Sequence, residues 1–317
     1  MDKWLIYTEE GSLSAVALPL WAAAAATVLL VLLLGLLIWQ IQKNAKGHSG
    51  KTEAAPDDSK VERLAVGKLH EQGAREGQQD CFAVSDEALM ATHGLLAVVA
   101  DGMGGLADGD RVSTAAVQAV LDGFPMCPAT GEPEQVLLSL ARKAVQEVNQ
   151  LLGPEGLRKS GSTLVMGLVR NGTFSFLSIG DSRICLCRGG VLTQLNREHV
   201  YRNELALRAV NGEMSVSESV SDPQGSGLIS FLGMGKLTQV DLPAAPLRLL
   251  PGDKLLLMSD GVYNALSDQE LTQALQGEPE QAAQAIQAAI QAKNYTNQDN
   301  YTAVILGCGG KDSQAEA

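Results

Sequence analysis

From Ala15 to Trp39 the chain reads "AVALPLWAAAAATVLLVLLLGLLIW", without one charged residue. About twenty apolar residues suffice for a helix to cross a bilayer, and this run exceeds that length. Trp21 and Trp39 lie about 27 Å apart along a helix, a spacing that suits two interfacial anchors. A cleaved leader has a basic start and a shorter apolar core. Here the start carries Asp2, Glu9 and Glu10 against Lys3. The run therefore reads as a transmembrane helix over residues 15–41, preceded by a short extracytoplasmic segment, 1–14. Lys43, Lys46 and Lys51 follow it, and the positive-inside rule places them in the cytoplasm. The expectation is a single-pass protein of the cell membrane, touching lipid through this helix, with the remainder cytoplasmic.

Residues 42–62 are polar and hold Gly, Pro and Ser, the composition of a flexible linker. A domain of residues 63–309 follows, long enough for one sizeable core. The polar end, 310–317, reads as a disordered tail. The five cysteines are odd in number and form no Cys-x-x-Cys pair, which fits free thiols in a reducing compartment. The four histidines show no zinc-ligand spacing. A formal charge of −12 excludes the counter-ion displacement on which non-specific nucleic-acid binding rests.

Within 63–309, three apolar strands run into aspartates: "AVVAD" at Asp101, "FSFLSIGD" at Asp181 and "KLLLMSD" at Asp260. In "QDNYTAVIL" the order reverses, and Asp299 precedes the strand. Taken singly, each Asp-Gly pair reads equally well as a turn. Together, carboxylates at strand ends can converge on one edge of a sheet. Gathered carboxylates repel, each raising the cost of ionising the next unless a cation intervenes. An all-oxygen cluster suits Mg²⁺ or Mn²⁺, and two such ions can bind a phosphate and activate water. Gly102 would let a backbone carbonyl reach an ion. "DRVSTAAVQAVLDGF", "PEQVLLSLARKAVQEVNQLL" and "EPEQAAQAIQAAIQAKN" carry helical apolar spacing and predict outer helices.

The segments "GAREGQQD", "VVADGMGG", "LADGDRVSTAAVQAV", "SGSTLVMGLV", "IGDSRICLCRGG", "LISFLGMG", "LLLMSDGVYNALSDQEL" and "QDNYTAVIL" stand in the order of the metal-dependent protein phosphatases of the 2C type. The chain resembles that family over about residues 63–309. The resemblance implies an α+β fold, an αββα sandwich of two mainly antiparallel sheets flanked by helices. It implies two Mn²⁺ or Mg²⁺ ions. Asp101 would bridge them, with the Gly102 carbonyl, Asp260 and Asp299 completing the shell and Asp80 acting through water. Asp181 matches a position that can hold a third, weaker ion in bacterial relatives. Arg75 would clamp the substrate phosphate bidentately. The implied activity is hydrolysis of phosphoserine and phosphothreonine by activated water, and the implied partners are phosphorylated proteins and a Ser/Thr kinase.

The sequence departs from the family in places. Gln78 and Gln79 replace the common Asn and carboxylate before Asp80, which predicts modest metal affinity. Met103 stands where eukaryotic relatives often carry His. "REHV" (Arg197–Val200) replaces the usual Asp-His-Ser segment, and His199 there reads as structural. Residues 201–227 correspond to the family's flap, and the polar "SVSESVSDPQGSG" predicts a mobile loop. Two alternatives remain open at this point. One is a catalytically silent phosphoprotein-binding module at the membrane. The other is a phosphatase dedicated to one regulator, such as an anti-sigma-factor antagonist.

Overall fold

The computed structural model describes residues 4–7, 13–16, 61, 63–103 and 108–309. The chain divides into two units, Met1–Asp57 and Asp58–Ala317. In the first, β1 (Trp4–Tyr7) and β2 (Leu13–Val16) pair antiparallel, Trp4 opposite Val16. Ala15 and Val16, the first two residues of the expected span, therefore belong to a strand. Residues 17–41 of that span, and the expected tail at 310–317, lie outside the described residues. Among the described residues no helix is long and apolar enough to cross a membrane.

The second unit opens with β3 (Arg63–Glu71), β4 (Asp80–Val84) and β5 (Leu95–Met103). Helices α1 (Gly109–Gly123) and α2 (Pro133–Gly156) follow. Next come β6 (Gly161–Ser162), β7 (Leu164–Arg170), β8 (Thr173–Ile179), β9 (Arg183–Arg188) and β10 (Val191–Gln194). Then stand α3 (Tyr201–Val210), α4 (Val216–Ser221), β11 (Leu247–Arg248) and β12 (Lys254–Met258). The unit closes with α5 (Asp260–Tyr263), α6 (Asp268–Ala274), α7 (Pro279–Ala292) and β13 (Tyr301–Gly309). One sheet has the order β10-β9-β12-β13-β3, the other β11-β8-β7-β5-β4 with β6 on β5. Every pairing within them is antiparallel.

The apolar runs explain the layering. In a strand, successive side chains point to opposite faces. In β5, Leu95, Ala97 and Val99 join Val165, Phe174 and Ile184, Leu255, Leu257 and Val304 in a core between the two sheets. The alternate residues Leu96, Val98 and Ala100 face the other way and pack with Val112, Ala116 and Val120 of α1 and Leu137, Leu140 and Ala144 of α2. On the far side, Leu256 and Met258 of β12 pack with Leu271 of α6 and Ile286 and Ile290 of α7. A strand buried on both faces has no polar side, so it reads as an unbroken hydrophobic run. The outcome is the expected α+β fold of two antiparallel sheets with helices outside them.

Two local expectations need correcting. Asp101 does not end its strand, because β5 continues to Met103. The segment 201–227 is not one loop: it contains α3 and α4. Ser215 caps α4, its side chain accepting from the Glu218 N–H while the Glu218 carboxylate accepts from the Ser215 N–H. The reciprocal cap satisfies two helix-end donors, which a reading of composition alone does not weigh.

Candidate active site

The β4–β5 register sets Asp80 directly opposite Asp101. Side chains opposite one another in an antiparallel pair share a face, so two carboxylates meet there, an arrangement that is unfavourable without a counter-charge. Beside them opens a cavity of about 310 Å³ lined by Arg75, Asp101, Gly102, Asp181, Asp260 and Asp299, together with Gln79, Met103, Thr163, Leu228 and Asn300. Six of the seven residues singled out in the sequence thus line one cavity. The seventh, Asp80, is buried next to it, at 5% exposure.

Each arrives from a different element. Asp260 opens α5 directly after β12, and Asp299 precedes β13, whose Ala303 pairs with Met258 of β12. Asp181 sits in the turn between β8 and β9. The Tyr263 hydroxyl donates to its carbonyl at 3.1 Å, and the Arg183 guanidinium lies 3.7 Å from the Tyr263 ring centroid. Arg183 also donates to Glu198 Oε1 at 2.6 Å. His199 Nδ1 accepts the Gly180 N–H at 3.0 Å, a structural tie that holds this turn to the segment before α3. Glu198 and His199 thus support the Asp181 turn and do not line the cavity.

Gly102 is where the backbone must come close. A Cβ there would stand 2.1 Å from the Gly109 carbonyl oxygen and 2.7 Å from that of Gln79. The Gly102 N–H donates to the Gln79 oxygen at 3.0 Å, so α1, β4 and β5 meet at this one residue. The two glutamines that depart from the family pattern are built in. Gln78 Oε1 accepts the Asp80 N–H at 3.0 Å, and the Gln79 N–H donates to Asn300 Oδ1 at 2.8 Å.

Electrostatics mark the cluster. Burial raises the Asp80 pKa to about 7; the Ser259 and Thr302 hydroxyls pull it down, and Asp260 and Asp299 push it up. Burial, then Asp80 and Asp260, hold Asp101 well above the usual carboxylate range. Asp260 is raised by burial and by Asp299, while a hydrogen bond from Asp101 opposes the rise. Asp181 rises to about 6 through burial and Asp260. Without a cation, then, protons do part of the work of compensating this charge. The Ser259 hydroxyl donates to Asp80 Oδ2 at 2.7 Å, and Asp80 Oδ1 is buried with no hydrogen-bond partner. Among the described residues no three acidic, His or Cys side chains close into a coordination shell as they stand. Asp299 is instead drawn to Arg75, whose Nη2 lies 2.6 Å from its Oδ2. The donor set still fits a hard divalent ion: all oxygen, with one buried carboxylate oxygen unpartnered and a backbone carbonyl at a residue too crowded for a side chain.

A pH prediction follows from these carboxylates. A carboxylate whose pKa is raised on folding loses its contribution to stability as pH climbs through the interval between its unfolded and folded values. For Asp80 that interval runs from 3.8 to about 7. In EDTA the melting temperature is expected to fall across it, and excess Mn²⁺ is expected to flatten or reverse the slope in calorimetric scans.

The sequence reading missed the polar scaffold under the cavity. Asn300 Nδ2 donates to the carbonyls of Gln72 and Gly77, at 2.7 and 2.9 Å, and so fixes the loop that carries Arg75. Thr163 Oγ1 accepts the Asp101 N–H at 3.0 Å and stands 2.8 Å from Ser182 Oγ. Each of these lies beside an aspartate or inside a quoted motif, but a neutral side chain gives no signal of its own there.

Known proteins share this sequence pattern and fold. The family model described as protein phosphatase 2C matches residues 66–292. The serine/threonine phosphatase stp of Listeria monocytogenes is 32% identical over 216 residues, covering 67% of this chain and 83% of its own. The PPM Ser-Thr phosphatase MsPP of Mycobacterium smegmatis, solved in complex with cacodylate, superposes with a TM-score of 0.62 at 28% identity, over 79% of this chain and 100% of its own. The catalytic domain of the phosphatase PstP, solved with two manganese ions, shares the fold at 24% identity and a TM-score of 0.62, over 78% of this chain and 98% of its own.

Proposed function

The chain belongs to the protein phosphatase 2C family and is a protein-serine/threonine phosphatase; from that premise we propose that its turnover depends on two Mn²⁺ or Mg²⁺ ions and that it works at the cytoplasmic face of a membrane. The observation that carries the metal reading is the Asp80–Asp101 pair, two carboxylates opposed in register with Asp80 Oδ1 buried and unpartnered. Asp101, the Gly102 carbonyl, Asp260 and Asp299 would hold the ions, Asp80 would act through water, and Asp181 would serve a third, weaker site. Ions so held supply Lewis acidity, drawing charge from a phosphoryl group and lowering the pKa of water.

The chain's own groups do the rest. Arg75, 57% exposed at the rim, presents a planar fork to two phosphate oxygens and orients phosphorus for in-line attack. The P–O bond to the seryl or threonyl oxygen breaks, water supplies the new oxygen, and the alcohol leaves with a proton. Met103 offers no proton at the position where some relatives carry His. The Asp181 turn is held by Tyr263 and His199, so its carboxylate faces the cavity on a fixed backbone. Arg75→Ala is expected to raise KM for a phosphothreonine peptide about tenfold with a smaller loss in kcat, in steady-state assays at saturating Mn²⁺. Loss of kcat alone would remove the clamp from Arg75.

The membrane reading rests on the uncharged run before Trp39 and the lysines after it. Free thiols at all five cysteines are compatible with the cytoplasm. The substrates would be phosphoproteins made by a Ser/Thr kinase at the same membrane. Fractionation of cells expressing the full chain tests this: alkali-resistant sedimentation with membranes is expected, and release by carbonate would exclude a spanning helix. A phosphatase confined to one regulatory protein has no observation in its favour here.

A further inference from the structure

Asp299 has both carboxylate oxygens engaged. Its Oδ1 accepts the Asn300 N–H at 2.9 Å, and its Oδ2 accepts from Arg75 Nη2 at 2.6 Å. The backbones on either side are tied together. The Ala74 N–H donates to the Gln298 carbonyl at 2.8 Å, and Asn300 Nδ2 donates to the Gln72 carbonyl at 2.7 Å. The Arg75 side chain itself is 57% exposed. Arg75 is therefore parked on an oxygen that the cluster would offer to a metal ion.

We infer that Arg75 is a stand-in counter-ion at Asp299, displaced when a divalent ion takes that carboxylate and thereby released to grip the substrate phosphate. This rests on the metal reading proposed above and adds to it a coupling between the two ligands. An ion that draws off Asp299 frees the arginine, and a phosphate that draws off the arginine frees Asp299. By linkage each strengthens the other by the same factor. The pair is partly exposed, so the competition it exerts is modest.

Isothermal titration of the full chain with Mn²⁺, in phosphate-free buffer at 0.15 M salt, tests this without any turnover. Removing the competitor is expected to tighten Mn²⁺ binding about two- to fivefold in Arg75→Ala, and likewise in Arg75→Gln, which keeps a polar side chain without the charge. Arg111, exposed on α1 and paired with Asp108 at 3.3 Å, provides the control. Arg111→Ala removes one positive charge without touching Asp299 and is expected to change the affinity less than about twofold, because an exposed charge paired elsewhere is largely screened. Unchanged or weaker binding in both Arg75 variants overturns the inference, as does equal tightening by Arg111→Ala. Absence of Mn²⁺ binding in the wild-type chain overturns the metal reading along with it.

Discussion

Asp101→Asn is expected to abolish phosphate release, by about three orders of magnitude, while making the metal-free protein more stable. The two effects share one cause. Asp101 faces Asp80 across the β4–β5 ladder, and burial together with Asp80 and Asp260 raises its pKa. Asparagine keeps the shape and removes a charge that the folded chain tolerates poorly. At pH 8 in EDTA the melting temperature is expected to rise by several degrees, since about 1 kcal/mol shifts a domain of this size by about 2–4 °C. Function and stability then oppose each other at this residue, as they do where a fold is strained for chemistry. Calorimetry and a phosphate assay on the same preparation check both. Full activity, or a fall in melting temperature, would contradict the account of the carboxylate pair.

Gly102→Ala is expected to carry a large stability cost, above about 3 kcal/mol. The new Cβ would stand 2.1 Å from the Gly109 oxygen and 2.7 Å from the Gln79 oxygen, both backbone atoms that cannot turn away. Either α1 moves off the sheet or β5 shifts against Gln79 and β4, and the second separates Asp80 from Asp101. The melting temperature should drop by about 6–12 °C at about 2–4 °C per kcal/mol. Gly77→Ala, in the loop after Arg75 where a Cβ meets nothing within 4 Å, is the matched control and should stay within about 0.5 kcal/mol. A Gly102→Ala protein as stable as the control would mean that the close approach of α1 is not needed.

The layered fold was legible because β5 reads as an unbroken apolar run and α2 carries apolar residues at helical spacing from Val136 to Val148. The aspartates were legible for the opposite reason: a charge adjoining a buried strand is costly, so its presence signals use. What stayed hidden was neutral or reciprocal. The pairing of Asp80 with Asp101 is a register, and register depends on two strands at once. Asn300 and Thr163 work through backbone hydrogen bonds that leave no mark in composition. Helix α4 lay inside "SVSESVSDPQGSG", whose polar and Gly content suggested a loop, although Ser215 and Glu218 have the spacing of a capping box. The Arg75–Asp299 contact joins residues 224 apart in sequence, so no local pattern announces it.

The central claim is metal-dependent hydrolysis at the carboxylate cavity. The most direct test is phosphate release from a phosphothreonine peptide by the full chain in Mn²⁺, then in EDTA, then with Mn²⁺ restored, beside Asp260→Asn. The account predicts turnover that EDTA stops and Mn²⁺ restores, and none above background in the variant. Turnover that persists in EDTA, or survives undiminished in Asp260→Asn, would contradict it.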